Sequence, residues 1–112
     1  VAAGLATLEV YKEEGLFEQA KKREKTFAEV MMSLKGKPHV ADIRPIGLMC
    51  GIDLEPKAGA RGYEAIERMY HEHDVHVRVT MDTLIVSPPL IATERDIGEI
   101  RDRIAAMLAV LS

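Results

Sequence analysis

Arg78 is the residue of this sequence whose setting most demands a chemical explanation. It stands in Val75-His76-Val77-Arg78-Val79-Thr80, an alternating stretch with its valines on one face of a strand and His76, Arg78 and Thr80 on the other. A guanidinium fixed between apolar runs is costly to bury alone, so it calls for an anion. Two kinds of anion answer. One is a bound ligand such as a carboxylate, which matches the planar guanidinium through two parallel hydrogen bonds. The other is a neighbouring side chain, Asp82 or Glu72, in a structural pair at a sheet edge.

The remaining reactive side chains read more plainly. His71-Glu72-His73-Asp74-Val75-His76 contains the ligand types of zinc and iron sites. His71 and His73 are two apart and diverge on a helix, unlike ligands four apart on one face, so the segment reads as a solvated helix end and no metal ligands are assigned. Cys50 lies on an alternating apolar strand and reads as a small buried hydrophobe, with no basic neighbour in sequence to activate its thiol. Asp42 and Arg44 share a strand face, where they form an ion pair or meet a neighbouring domain. The basic cluster Lys21, Lys22, Arg23 and Lys25 is interspersed with Glu18, Glu24 and Glu29, which marks the solvated face of an amphipathic helix rather than a phosphate patch.

These residues need elements to hold them. Leu5, Leu8 and Tyr11 recur at helical spacing up to a stop at Glu13-Glu14-Gly15. A second helix puts Leu16, Ala20, Phe27, Met31 and Leu34 on one side and ends at Gly36-Lys37-Pro38. Val40 to Arg44 and Leu48 to Leu54 read as strands, with Pro45-Ile46-Gly47 allowing a bend or bulge between them. Glu55 to Ala60 is a loop. A third helix runs from about Gly62 to His73 with Tyr63, Ile66 and Tyr70 as its apolar stripe. Strands follow over Val75 to Thr80 and Thr83 to Val86, with Met81-Asp82 at their turn, and Pro88-Pro89 stops the sheet. Thr93 caps a last helix whose Ile97, Ile100, Ile104, Met107, Leu108 and Leu111 face the core. The expected fold is α+β: a small, mainly antiparallel sheet of three to four strands with helices packed on one face.

The chain has 112 residues, enough for one domain with a modest core. Its formal net charge of −3 argues against a nucleic-acid groove. No apolar run approaches the roughly 20 residues that span a bilayer, and no signal-peptide pattern is present. A single cysteine cannot form an internal disulfide and suits a reducing compartment. Val1-Ala2-Ala3-Gly4-Leu5 enters a helical pattern without a capping residue, so the sequence is expected to be a piece of a longer polypeptide, cut within or just before a helix.

Four stretches, in order, resemble one family. Leu8-Glu9-Val10-Tyr11-Lys12-Glu13-Glu14-Gly15-Leu16 is similar to a helix pair, and Val40-Ala41-Asp42-Ile43-Arg44-Pro45-Ile46-Gly47-Leu48 to a pair of first strands. Gly59-Ala60-Arg61-Gly62-Tyr63-Glu64 and the segment from Arg78 through Thr80-Met81-Asp82-Thr83 to Ser87-Pro88-Pro89-Leu90-Ile91 complete the series. Together they resemble the carboxyl-terminal small domain of class III pyridoxal-phosphate aminotransferases, and most of all the omega-amino acid (β-alanine)–pyruvate branch. The resemblance covers nearly all of residues 1–112 but only the last quarter or so of such an enzyme.

The resemblance implies a cytoplasmic homodimer or higher oligomer in which this domain supplies one wall of the active site. It implies that Arg78 binds the substrate carboxylate and swings aside for other substrates. Pyridoxal phosphate would belong to the parent enzyme. Its site needs a lysine in a dry pocket, a carboxylate for the pyridinium nitrogen and a phosphate cup. Lys12, Lys21, Lys22, Lys25, Lys35, Lys37 and Lys57 fall on polar helix faces or loops, so no catalytic or cofactor-binding residue is assigned here. The implied partners are the large cofactor-binding domain of the same chain, a second subunit and a small carboxylate substrate. One position departs from the family: Met81 stands where it usually has glycine, at a turn where glycine permits a positive φ that methionine resists. Rival readings are the small domain of another class III enzyme, acting on γ-aminobutyrate, ornithine or a diamine, and a free-standing α+β module that grips a small carboxylate without catalysis.

Overall fold

A computed structural model describes all residues 1–112. Its elements are α1 (Ala2–Glu13), α2 (Leu16–Met32), β1 (Val40–Ile46), β2 (Met49–Leu54), α3 (Arg61–His73), β3 (Arg78–Thr80), β4 (Thr83–Val86) and α4 (Glu94–Val110). The strands form one four-stranded sheet in the order β1-β2-β4-β3, antiparallel at every pair. This is the expected α+β architecture.

Alternation along the strands builds the core. Ile43 pairs with Ile52, Ile52 with Leu84, and Leu84 with Val79, so one apolar row crosses all four strands. Cys50 and Val86 form a second such pair. Phe27 and Met31 of α2, Ala65 and Met69 of α3, and Ile97, Ile104, Met107 and Leu108 of α4 cover that face. The helix α4 begins on a capping box, in which the Thr93 hydroxyl accepts from Asp96 N at 3.1 Å and Thr93 N donates to the Asp96 carboxylate at 2.8 Å.

The helix α1 stands apart. None of its residues is buried, and Leu5, Leu8 and Phe17, just beyond its end, are 59%, 62% and 60% exposed. Tyr11 meets Phe17 edge to face at 5.0 Å. The radius of gyration, 15.3 Å, exceeds the about 13 Å of a compact chain near this length because α1 projects from the body.

Four local expectations are corrected. The strand expected over Val75 to Thr80 is three residues long, Arg78–Thr80, because β4 ends at Val86 and Pro88 and Pro89 offer no N–H to extend the ladder. The alternation itself persists: Val77 is buried and His76 and Arg78 are exposed. Of the stripe Tyr63, Ile66, Tyr70, only Ile66 packs against the core. Tyr63 and Tyr70 are 55% and 59% exposed, and Gly62, Ala65 and Met69 are buried instead, since small residues let the helix lie close to β3. The strand β1 runs two residues further than expected, through Pro45, which pairs with Cys50 on an edge strand where its missing N–H is tolerated; the bend expected over Pro45-Ile46-Gly47 is present as the turn at Gly47, φ +55°, and a separate register shift lies between Val40 and Asp42. The helix α2 ends at Met32, before Gly36, although Leu34 remains fully buried in the turn that follows.

Candidate functional site

The helices cover one face of the sheet and leave the other open. On the open face, Arg44 pairs with Gly51, Gly51 with Ile85, and Ile85 with Arg78. Directly paired residues share a face, so Arg44 and Arg78 stand at the two ends of one cross-strand row. The next row contains Asp53, Thr83 and Thr80.

Arg44 is held by two carboxylates. Its Nη2 donates to Asp53 Oδ1 at 3.0 Å, and its Nη1 donates to Asp53 Oδ2 and, at 3.2 Å, to Asp42 Oδ2. The Thr83 hydroxyl donates to Asp53 Oδ1 at 2.6 Å. Hydrogen bonds from Arg44 first, and from Thr83 second, hold the Asp53 carboxyl below the usual carboxylate range. The expected Asp42–Arg44 pair is present, with Asp53 as the closer partner. Gly51 leaves room for this guanidinium: a Cβ there would already touch Arg44 Nη2 at 3.5 Å.

Arg78 is exposed on the outermost strand and makes no ion pair or side-chain hydrogen bond. The structural partners considered for it are committed elsewhere. Glu72 accepts from Arg68 Nη1 at 3.1 Å. Asp82 turns its carboxylate to the start of α3, where Oδ1 accepts from the backbone N–H of Arg61 and, at 3.4 Å, of Gly62. All five N–H donors of Arg78 are therefore without a protein acceptor.

The strand carrying Arg78 is positioned by its turn. Thr80 pairs with Thr83, so Met81 and Asp82 form a two-residue hairpin loop, and Met81 takes φ +56°. Two-residue hairpins favour positive φ at this position, which is why glycine suits it and why Met81 occupies it under strain. The Met81 side chain points to solvent at 63% exposure. Beneath the turn lies Gly62, where a Cβ would sit 2.1 Å from the Met81 carbonyl oxygen and 2.8 Å from Val79 Cγ1. The Asp82 carbonyl accepts from Leu54 N at 2.8 Å, tying the turn to β2 as well. Sequence reasoning missed the roles of Asp82 and Gly62. The available signal was Ala60, which precedes the helix and cannot cap it with a side chain.

The other candidates fall as follows. All seven lysines are exposed. The N-terminus of α3 is filled by Asp82, and that of α4 by its own capping box. Tyr70 stacks edge-on with His71 at 5.0 Å and His76 at 6.0 Å, and the His73 carbonyl accepts from Arg103. No group of three or more His, Cys, Asp or Glu converges as metal ligands would. Cys50 is buried, and burial pushes its thiol up to about 11. No helix is long and apolar enough to cross a membrane.

The family model for class-III aminotransferases matches residues 1–108. The chain is 42% identical over 110 residues to an omega-aminotransferase of Caulobacter vibrioides, covering 96% of this chain and 25% of that protein. Among solved structures it is similar to the adenosylmethionine-8-amino-7-oxononanoate aminotransferase of Methanocaldococcus jannaschii, with a TM-score of 0.88 and 29% identity over 98% of this chain and 27% of that one. It is also similar to a thermostable omega transaminase mutant from Pseudomonas jessenii, with a TM-score of 0.85 and 27% identity over 94% of this chain and 25% of that one. The chain spans about a quarter of the length of these relatives.

Proposed function

This chain belongs to the class III aminotransferases, and on that premise we propose that residues 1–112 are the carboxyl-terminal small domain of an omega-amino acid–pyruvate aminotransferase. The observation that carries the reading is Arg78: an exposed guanidinium without a counter-ion, on the open face of a sheet whose other arginine is neutralised. Its role is to bind the carboxylate of the amino acid or of pyruvate through two parallel hydrogen bonds, and so to orient the reacting carbon. Standing on an edge strand with a long stem, it can swing away when a substrate has no carboxylate to offer.

The rest of the enzyme holds pyridoxal phosphate, which supplies the chemistry of amino-group transfer when bound. The parent acts as a cytoplasmic homodimer or higher oligomer, with the large domain of the same chain facing this sheet. The isolated domain is inactive. A second reading rests on the likeness to the M. jannaschii enzyme, which makes another class III aminotransferase with a different amino donor the rival.

The test is a donor panel on the complete enzyme with pyruvate as acceptor. The reading expects β-alanine or another omega-amino acid to give the highest kcat/KM. Turnover confined to ornithine, a diamine or adenosylmethionine, with none from omega-amino acids and pyruvate, would replace this branch by the rival.

A further inference from the structure

We propose that Asp82 is a positioning residue for Arg78, acting through the amino end of α3. The inference rests on the reading of Arg78 as the carboxylate-binding residue. The strand β3 has three residues and is hydrogen-bonded only to β4, so nothing on its outer edge fixes it. Its turn is held from below. Asp82 Oδ1 accepts from Arg61 N and from Gly62 N at 3.4 Å, doing for α3 what Ala60 cannot do. A carboxylate at a helix N-terminus satisfies open N–H groups and complements the helix dipole. Gly62 lets the helix approach until its own α-carbon lies against the Met81 carbonyl.

The latch therefore joins a rigid helix to the turn four residues beyond Arg78. Arg78 and Ile85 form the outermost pair of the hairpin, so a shift or twist at the turn is carried along three residues to the guanidinium. Misplacing a substrate-orienting group by about 1 Å can cost up to roughly 100-fold in rate. Asp82 touches no substrate in this scheme, and its effect is exerted only through the place it gives Arg78.

The test uses the complete enzyme carrying Asp82→Ala, Asp82→Asn, Asp82→Glu or Arg78→Ala. Two half-reactions are followed separately, one with pyruvate and one with an amine lacking a carboxylate, alongside Tm. Asp82→Ala is expected to slow the pyruvate half-reaction about tenfold more than the amine half-reaction. Asp82→Asn keeps the acceptor oxygen and should restore most of the loss. Asp82→Glu moves the acceptor by one methylene and should give a smaller selective loss, which keeps the test decisive if the alanine variant does not fold. Selective loss in Arg78→Ala without any in the Asp82 variants would overturn the latch and leave the reading of Arg78 standing. Equal loss of both half-reactions in Arg78→Ala would overturn the reading and the latch with it.

Discussion

Arg44 and Arg78 stand at opposite ends of one cross-strand row, Arg44–Gly51–Ile85–Arg78, and only Arg44 has counter-ions. The difference separates a structural guanidinium from an available one. Arg44→Ala leaves Asp42 and Asp53 facing each other without a cation, so a modest fall in Tm is expected. In the complete enzyme it should change the two half-reactions equally, since its charge is already met by two carboxylates. A loss confined to carboxylate substrates would assign Arg44 to the substrate instead.

The turn after β3 gives a paired prediction of opposite sign. Gly62→Ala drives a methyl into the Met81 carbonyl at 2.1 Å, a backbone contact that cannot rotate away, and should cost about 3 kcal/mol. Met81→Gly removes a left-handed conformation that costs an L-residue about 1–2 kcal/mol. It also loosens the unfolded chain, which takes back about 0.4–1 kcal/mol. The balance runs from zero to about 1.6 kcal/mol of stabilisation, a rise of at most about 6 °C in Tm. Thermal melts of the two variants decide it, and a large loss on Met81→Gly would mean that the methionine side chain packs where the structure leaves it exposed.

Much of this arrangement is legible in the sequence, and the exceptions have physical causes. Helices, strands and the Thr93 cap follow from local periodicity and capping chemistry, which act within a few residues. The Asp82 contacts to Arg61 and Gly62 span 21 and 20 residues and depend on two elements meeting, so no local pattern announces them. The buried face of α3 has the same kind of cause. Of the stripe Tyr63, Ile66 and Tyr70 only Ile66 reaches the core, because the close approach of β3 selects Gly62 and Ala65 and leaves Tyr63 and Tyr70 outside. Arg78 was picked out by its setting. Its lack of a side-chain partner depends on Asp82 and Glu72 being engaged by other elements, which no local pattern encodes.

Cys50 should be nearly inert in the folded chain. Burial pushes its thiol from an ordinary 9.0 up to about 11, so the thiolate at pH 8 is about 100-fold scarcer than in an unfolded chain. Alkylation by iodoacetamide should be slower by at least that factor, and urea should restore it. The linkage sign is that of a raised pKa. The contribution to stability is full below pH 9.0 and is lost as pH rises through about 11. Labelling at the rate of a free thiol at pH 8 would contradict the buried placement.

The exposed apolar side chains Leu5, Leu8 and Phe17 should make the isolated 112-residue chain self-associate, because the proposed parent would cover them. Sedimentation velocity should show concentration-dependent association that the double change Leu5→Lys and Leu8→Glu reduces. A monodisperse wild-type monomer at high concentration would favour an independent module.

The most direct test of the central claim is Arg78→Ala in the complete enzyme, with the amine and keto-acid half-reactions followed separately. Hydrogen bonds to charged groups are worth roughly 1.5–3 kcal/mol each, so losing the paired contact to a carboxylate should cost about two or more powers of ten with pyruvate. An amine without a carboxylate never uses those bonds and should react at close to the wild-type rate or faster. Arg78→Lys should recover only part of the loss, because a point charge cannot reproduce the planar fork. Selective loss with carboxylate substrates is the predicted result; equal loss in both half-reactions would show that Arg78 serves the fold and not the substrate.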